Sequence, residues 1–258
     1  MNARWWYGAG SLCYRELIRF LRQRSRVISA FVQPVLLWVL FSAGLRSSFK
    51  VGDSSVQFAE FFFPGTMALI LLFTAIFSMI SVIEDRERGF MQGVLVSPLP
   101  RSAIVAGKLA GGTVLAVVPA MMFYLLAPLA GFSISLGSTL ATFVVSTLLA
   151  YTLSGLGFAI AWPMASTQGF HAVMLLVLMP MWLLSGAFFP AEGALGLVDL
   201  LMRLNPLTYG VALLRRAMYL GVEPPIGTPG LALSLVVTAL FCVGTSVASF
   251  YQVHRGEH

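Results

Sequence analysis

Apolar residues fall along this chain in long unbroken stretches, with polar positions gathered between them. The first stretch is 27–45, VISAFVQPVLLWVLFSAGL, and the second is 64–83, twenty positions without a charge. Beyond Lys108 no Asp, Glu, Lys or Arg occurs before Glu192, a gap of 83 residues. About 20 apolar residues in a helix cross roughly 30 Å of hydrocarbon, so that gap is too long for one crossing and suits three. Two clusters of small and polar residues divide it, GFSISLGS at 131–138 and MASTQG at 164–169. The pattern predicts an all-α integral membrane protein. Six membrane-spanning helices are expected over 27–45, 64–83, 109–130, 139–163, 170–189 and 229–251, in a single domain over 1–258.

Three segments between the spans have patterns of their own. In 12–26, Tyr14, Leu17, Ile18 and Leu21 recur at helical spacing, while Arg15, Arg19, Arg22 and Arg26 take the opposite face. That predicts an amphipathic helix along a membrane surface, its arginines towards lipid phosphates or a partner. A plain juxtamembrane anchor is the simpler reading of the same pattern. Residues 190–218 are amphipathic, broken by Pro190 and by Asn205-Pro206, too polar to span and too apolar for a free loop. Two short helices that dip into the outer leaflet and return fit them, with the irregular backbone covered by protein.

The third segment is the block Glu84-Asp85-Arg86-Glu87-Arg88, directly after the second span. Glu84 and Arg88 are four apart and Asp85 and Arg88 three apart, so a helix here would carry its own ion pairs, each worth about 0.2–0.5 kcal/mol. Phe90, Met91, Val94 and Leu95 add an apolar patch before Pro98 and Pro100 stop the helix. A short cytoplasmic helix over 84–97, shaped for a partner's groove, is one reading. A salt-laced cap on the second span is the other.

Composition sets the class: 58% hydrophobic and 10% charged residues, with a mean hydropathy of +0.88. Soluble domains are about a quarter charged. The net charge of +6 does not point to nucleic acid, because the arginines flank apolar runs and form no separate basic domain. Eleven of the sixteen Lys and Arg residues lie in the N-terminal arm, the 84–108 loop and at Arg255; Arg46, Lys50, Arg203, Arg215 and Arg216 lie on the other side. The positive-inside rule then puts both termini and the 84–108 loop in the cytoplasm. The 19 apolar residues of the first run exceed a signal peptide's usual 7–15, and no clear cleavage site follows, so a retained span is expected.

Reactive chemistry is sparse. Cys13 and Cys242 are far apart, and His171, His254 and His258 are scattered, so neither a disulfide framework nor a metal motif is suggested. No HExxH, G-x-S-x-G or paired intramembrane carboxylates occur. His171, at the expected cytoplasmic end of span five, reads as an interfacial histidine in preference to a proton relay. Gly107-Lys108 is followed by leucine, so no phosphate-binding loop is present, and the chain is expected to bind no cofactor and to be no enzyme. Any energy must arrive from another subunit.

Several stretches together resemble the ABC transmembrane type-2 permeases. EDRERGFMQGVLVSPLPRSAIVAGK (84–108) is similar to their cytoplasmic loop; LSGAFFP (184–190) and NPLTYGVALLRRAMYLG (205–221) resemble their span-five exit and re-entrant return. QPVLLWVLFSAGL (33–45) and FFFPGTMA (61–68) are similar to their first two spans. Gly89 is followed by Phe90-Met91-Gln92 where many members have Thr-Leu-Glu, a form closer to the drug-resistance and nodulation-type exporters. The short 46–63 loop sets aside members with a large extracellular domain.

The resemblance implies a permease that pairs with a second copy, identical or not, above two separate ATPase subunits that carry ATP and Mg. Residues 84–97 would be the coupling helix, docking through Glu84, Asp85, Arg86, Glu87, Arg88, Gly89, Phe90, Met91, Val94 and Leu95. Residues 12–26, with Arg15, Arg19, Arg22 and Arg26, would be the connector helix. Phe188, Phe189, Pro190, Asn205, Pro206 and Tyr209 would belong to an outer gate with the re-entrant segment 190–218. A path between spans two and five would pass a lipid-like, glycolipid, polysaccharide or amphipathic drug substrate outward. A membrane scaffold, or a carrier driven by an ion gradient, are the rival readings.

Overall fold

The computed structural model describes residues 3–45, 57–95, 99–189, 196–221, 224 and 228–255; the side chains of 3, 4, 24–27, 92, 94 and 95 lie outside that description. The described residues contain helices and no strand. In chain order they are α1 (Ala3–Arg22), α2 (Arg24–Gly44), α3 (Phe58–Ser78), α4 (Ile80–Glu87), α5 (Phe90–Leu95) and α6 (Arg101–Tyr124). A 3₁₀ turn at Ala127–Ala130 leads to α7 (Leu136–Ala161) and α8 (Thr167–Trp182), which runs into a π turn at Leu183–Ala187. Then come α9 (Leu197–Leu204), α10 (Pro206–Met218) and α11 (Leu231–Arg255).

Among the described residues, five helical stretches are long and apolar enough to cross a membrane: Phe58–Glu87, Arg101–Tyr124, Leu136–Ala161, Thr167–Ala187 and Leu231–Arg255. The apolar run Ile28–Gly44 of α2 is shorter, and α9 with α10 passes the same test as a pair bent by 74°. Every expected span therefore has a helix. The second is longer than expected: α3 and α4 make one 30-residue rod that carries Glu84–Glu87 as its last turn. Charge does not end the rod because its side chains find partners on neighbouring helices. It ends where Gly89 takes φ +72, a left-handed conformation that glycine adopts without a Cβ penalty. The helix expected over 84–97 is thus two pieces, the rod's end and the separate α5.

The rod is the bundle's axis. Phe61, Phe62, Phe63, Met67, Ile70, Leu71 and Leu72 are buried all round it, as befits a helix with apolar residues on every face. α6 lies beside it and carries α1 on its other side. A Cβ on Gly107 would sit 2.7 Å from the Ala9 carbonyl oxygen and 2.9 Å from the Leu12 Cβ, so only glycine lets α1 come so close. α11 is peripheral. Its hydroxyl stripe, Ser234, Thr238, Thr245 and Ser249, faces inward, and Ser249 donates to the Gly155 carbonyl of α7 at 3.0 Å. Leu235, Val236, Leu240, Val243 and Val247 are exposed on the opposite face, where lipid tails would meet them.

Candidate functional site

At the end of the bundle that holds residues 84–88, the charges form a closed network. Asp85 is fully buried. Arg15 grips it with two bonds of 2.7 and 2.8 Å, Arg19 donates at 3.2 Å, and Lys108 Nζ lies 2.6 Å from Oδ2. Arg19 also pairs with Glu84. Lys108 Nζ donates to Glu16 Oε1 at 2.6 Å and to Ser81 Oγ at 3.0 Å. Three cations (Arg15, Arg19, Lys108) face three carboxylates (Glu16, Glu84, Asp85), which is what allows such charges to be buried at all.

This corrects two expectations. Asp85 pairs with α1 and α6, not with Arg88; of the two pairs expected within the helix, only Glu84–Arg88 forms, at 3.8 Å on an exposed Arg88. And two of the four arginines expected to face lipid phosphates or a partner, Arg15 and Arg19, turn into the protein. The physical reason is common to both: a carboxylate on the rod is a stronger partner at short range than water or a screened surface charge. Tyr14 and Leu21 of the expected apolar face are exposed, together with Trp6 and Tyr7. Arg22 is exposed, and the side chain of Arg26 lies outside the described residues.

The rest of the block is divided. Arg86 donates to the Met164 carbonyl at 3.2 Å and to that of Trp162, stacking over the Trp162 ring, so a cation caps the C-terminal end of α7. Glu87, Arg88, Gly89 and Phe90 form an exposed turn. The Arg15 guanidinium lies 3.7 Å from the Phe90 ring centroid, so this turn also rests on α1. Met91 is buried, and the side chains of Val94 and Leu95 lie outside the described residues. Glu16, Ser81 and Lys108 escaped the sequence reading. The available signals were a single acid among the arginines of 12–26 and a lysine within the otherwise uncharged run IVAGKLAGG.

The opposite end is built differently. Pro180 and Gly186 (φ +72) break the end of α8 into a π turn, freeing carbonyls from the helical ladder. Side chains at the start of and along α10 take them up. Asn205 Nδ2 donates to the Met181 carbonyl at 2.6 Å, Thr208 to that of Leu184 at 3.3 Å and Arg215 to that of Gly186 at 3.4 Å. The buried Arg215 guanidinium also donates to the Phe61 carbonyl at 3.4 Å and stacks over the Phe61 ring. Asn205 Oδ1 accepts from the Leu207 N–H and Pro206 opens the helix, so one residue caps α10 and ties it to α8.

Among the other gate candidates, Phe188 sits edge-on to Phe41 at 5.1 Å and Phe62 at 5.4 Å, with Phe189 exposed against it. Tyr209 is apart, donating to the Arg203 carbonyl at 2.9 Å, and Pro190 lies outside the described residues. Thr208 and Arg215 are additional joint residues; the sequence reading counted Arg215 only as a charge of the outer side.

Between α2, the rod and α8 lies a cavity of about 390 Å³, with Phe20, Phe73, Phe77 and Trp182 among its aromatic wall and Gln33 and Thr74 among its polar groups. His171 is the one titratable side chain on its described wall. It stacks on Phe77 at 5.6 Å, with Nδ1 2.8 Å from the Thr167 carbonyl, which makes that nitrogen the donor.

Known proteins share this arrangement of sequence. The ycf38 protein of Cyanophora paradoxa, named as a transport permease, is 25% identical over 207 residues, covering 79% of this chain and 71% of its own length. The protein of the same name in Porphyra purpurea is 24% identical over 205 residues, covering 78% and 70%. Residues 8–219 match the family model of the ABC-2 type transporter, a span that takes in most of α1, the charged network, the cavity and the α8–α10 joint. This chain belongs to the ABC-2 type transporter family, as a multi-pass membrane permease.

Proposed function

We propose that this chain is the permease subunit of an ATP-driven exporter, pairing with a second permease and standing on two separate ATPase subunits. The observation that carries the reading is the exposed turn Glu87–Phe90 at the end of a rod whose other face lines an apolar cavity. A push on that turn acts directly on the wall of the cavity between the second and fifth spans. No phosphate-binding loop occurs in the sequence, so hydrolysis of MgATP belongs to the partner. In this reading the turn and α5 are the coupling element, α1 is the connector, and α9 and α10 form the outer gate, with both termini in the cytoplasm.

The cavity favours one part of the substrate range. Its described wall has aromatic and aliphatic groups, a few hydroxyl and amide groups, and no acid, lysine or arginine. An amphipathic molecule with an apolar body fits it: a lipid, a glycolipid or a drug of that character. The test is purification of the tagged chain from its native membrane, expecting an ATPase subunit in stoichiometric yield. Export of the cargo should stop when ATP is depleted. Transport that follows an ion gradient and ignores ATP depletion would sink the proposal.

A further inference from the structure

Lys108 is the one residue of α6 in the ion-pair network, and its geometry singles it out. An ammonium group has three N–H donors. Here three acceptors surround it, Glu16 Oε1 and Asp85 Oδ2 at 2.6 Å and Ser81 Oγ at 3.0 Å. They come from α1 and from two positions on α4, while the lysine comes from α6. Arg15 and Arg19 join α1 to α4, and Arg15 also to Phe90 of α5, with no bond to α6. The side chain is 1% exposed, so water cannot substitute for a lost partner.

We infer that Lys108 is a positioning residue for transport, locking the end of the rod to α6 and α1 so that the exposed turn and span three move as one body. A buried cation could instead serve only to neutralise Glu16 and Asp85. The two roles separate in a double substitution. Lys108→Met with Glu16→Gln removes one positive and one negative charge, and leaves Asp85 to Arg15 and Arg19. Neutrality is kept while the three-way link is lost. Lys108→Met alone leaves the buried Glu16 with only Arg15, at 3.5 Å, and the network one cation short, and should lower the melting temperature; the double variant should recover it.

The experiment uses the full chain in lipid nanodiscs, with Cys13 and Cys242 replaced by serine and spin labels on cysteines at Gly93 and Val118, both exposed. A narrow interlabel distance distribution is expected for the parent and one about twofold broader for the double variant, as for a locally loosened element. Recovered stability together with the parent's narrow distribution would overturn the inference, because neutralisation would then be the whole role. Should the double variant fail to reach the membrane, Ser81→Ala removes one acceptor and no charge; it should broaden the distribution less, and an unchanged width would overturn the inference. Only the link to transport rests on the proposed function. In the unlabelled native complex, the double variant should retain its ATPase yet lose the dependence of hydrolysis on the permease; hydrolysis unchanged from the parent would overturn that link. Absence of an ATPase from the parent preparation would refute the proposed function and leave the distance comparison decisive for the lock.

Discussion

The two ends of the bundle are held by different chemistry. Around Asp85, separate helices meet through ion pairs whose partners number three and three and whose buried members have no access to water. Where α8 meets α10, side chains donate to carbonyls that a broken helix has left free, one bond at a time. The difference teaches how each end tolerates change. Removing one member of a buried ion network leaves a charge uncompensated and costs about 3–5 kcal/mol. The neutral bonds there, from Asn205 and Thr208, contribute about 1 kcal/mol net each and can be exchanged for water when the surfaces part, and the buried Arg215 guanidinium is the charged donor of that joint. In the proposed mechanism the first end would transmit a displacement and the second would come apart.

That contrast is broken most directly at Asp85. Asp85→Ala leaves Lys108 with Glu16 as its one carboxylate beside the Ser81 hydroxyl, and Arg15 without its two-bond partner, and should lose about 3–5 kcal/mol. Membrane yield and the melting temperature of the detergent-purified protein read it; a melting temperature within a degree or two of the parent would mean that the network is not a lock.

Asn205→Ala should come next, at about 2 kcal/mol, since it removes both an N-cap and the bond to the Met181 carbonyl. If the far end is the separable one, this variant should also make a cysteine at the half-buried Leu184 react faster with a membrane-impermeant thiol reagent. An unchanged labelling rate would argue against a joint at this point.

Two smaller effects sharpen the picture within the charged block. Phe90→Leu keeps an apolar side chain but removes the ring beneath Arg15, at about 0.5–1 kcal/mol. Arg88→Ala should cost no more than about 0.5 kcal/mol, since its pair with Glu84 is long and exposed. Glu84→Gln should cost more than Arg88→Ala, because Glu84 also holds the largely covered Arg19. Side-by-side melts of these variants test the order; equal costs for Glu84 and Arg88 would restore the picture of a helix that pairs only with itself.

The sequence alone carried the all-helical class, a helix for every span and the family. These are local properties: a run of about 20 apolar residues declares a membrane helix without reference to any other part of the chain. It also carried the amphipathic character of 12–26 and the break at Asn205-Pro206, since periodicity and a proline after an asparagine are visible in a short window. Tertiary structure alone decided where the charges point. Arg15, Asp85 and Lys108 are far apart in sequence, and whether an acid on a helix meets water or a buried cation depends on the rotation and neighbours of that helix. The same holds for Arg215, whose partners Phe61 and Gly186 come from two other helices. An arginine facing phosphates and an arginine facing a buried carboxylate are the same letter in the same pattern; only packing tells them apart.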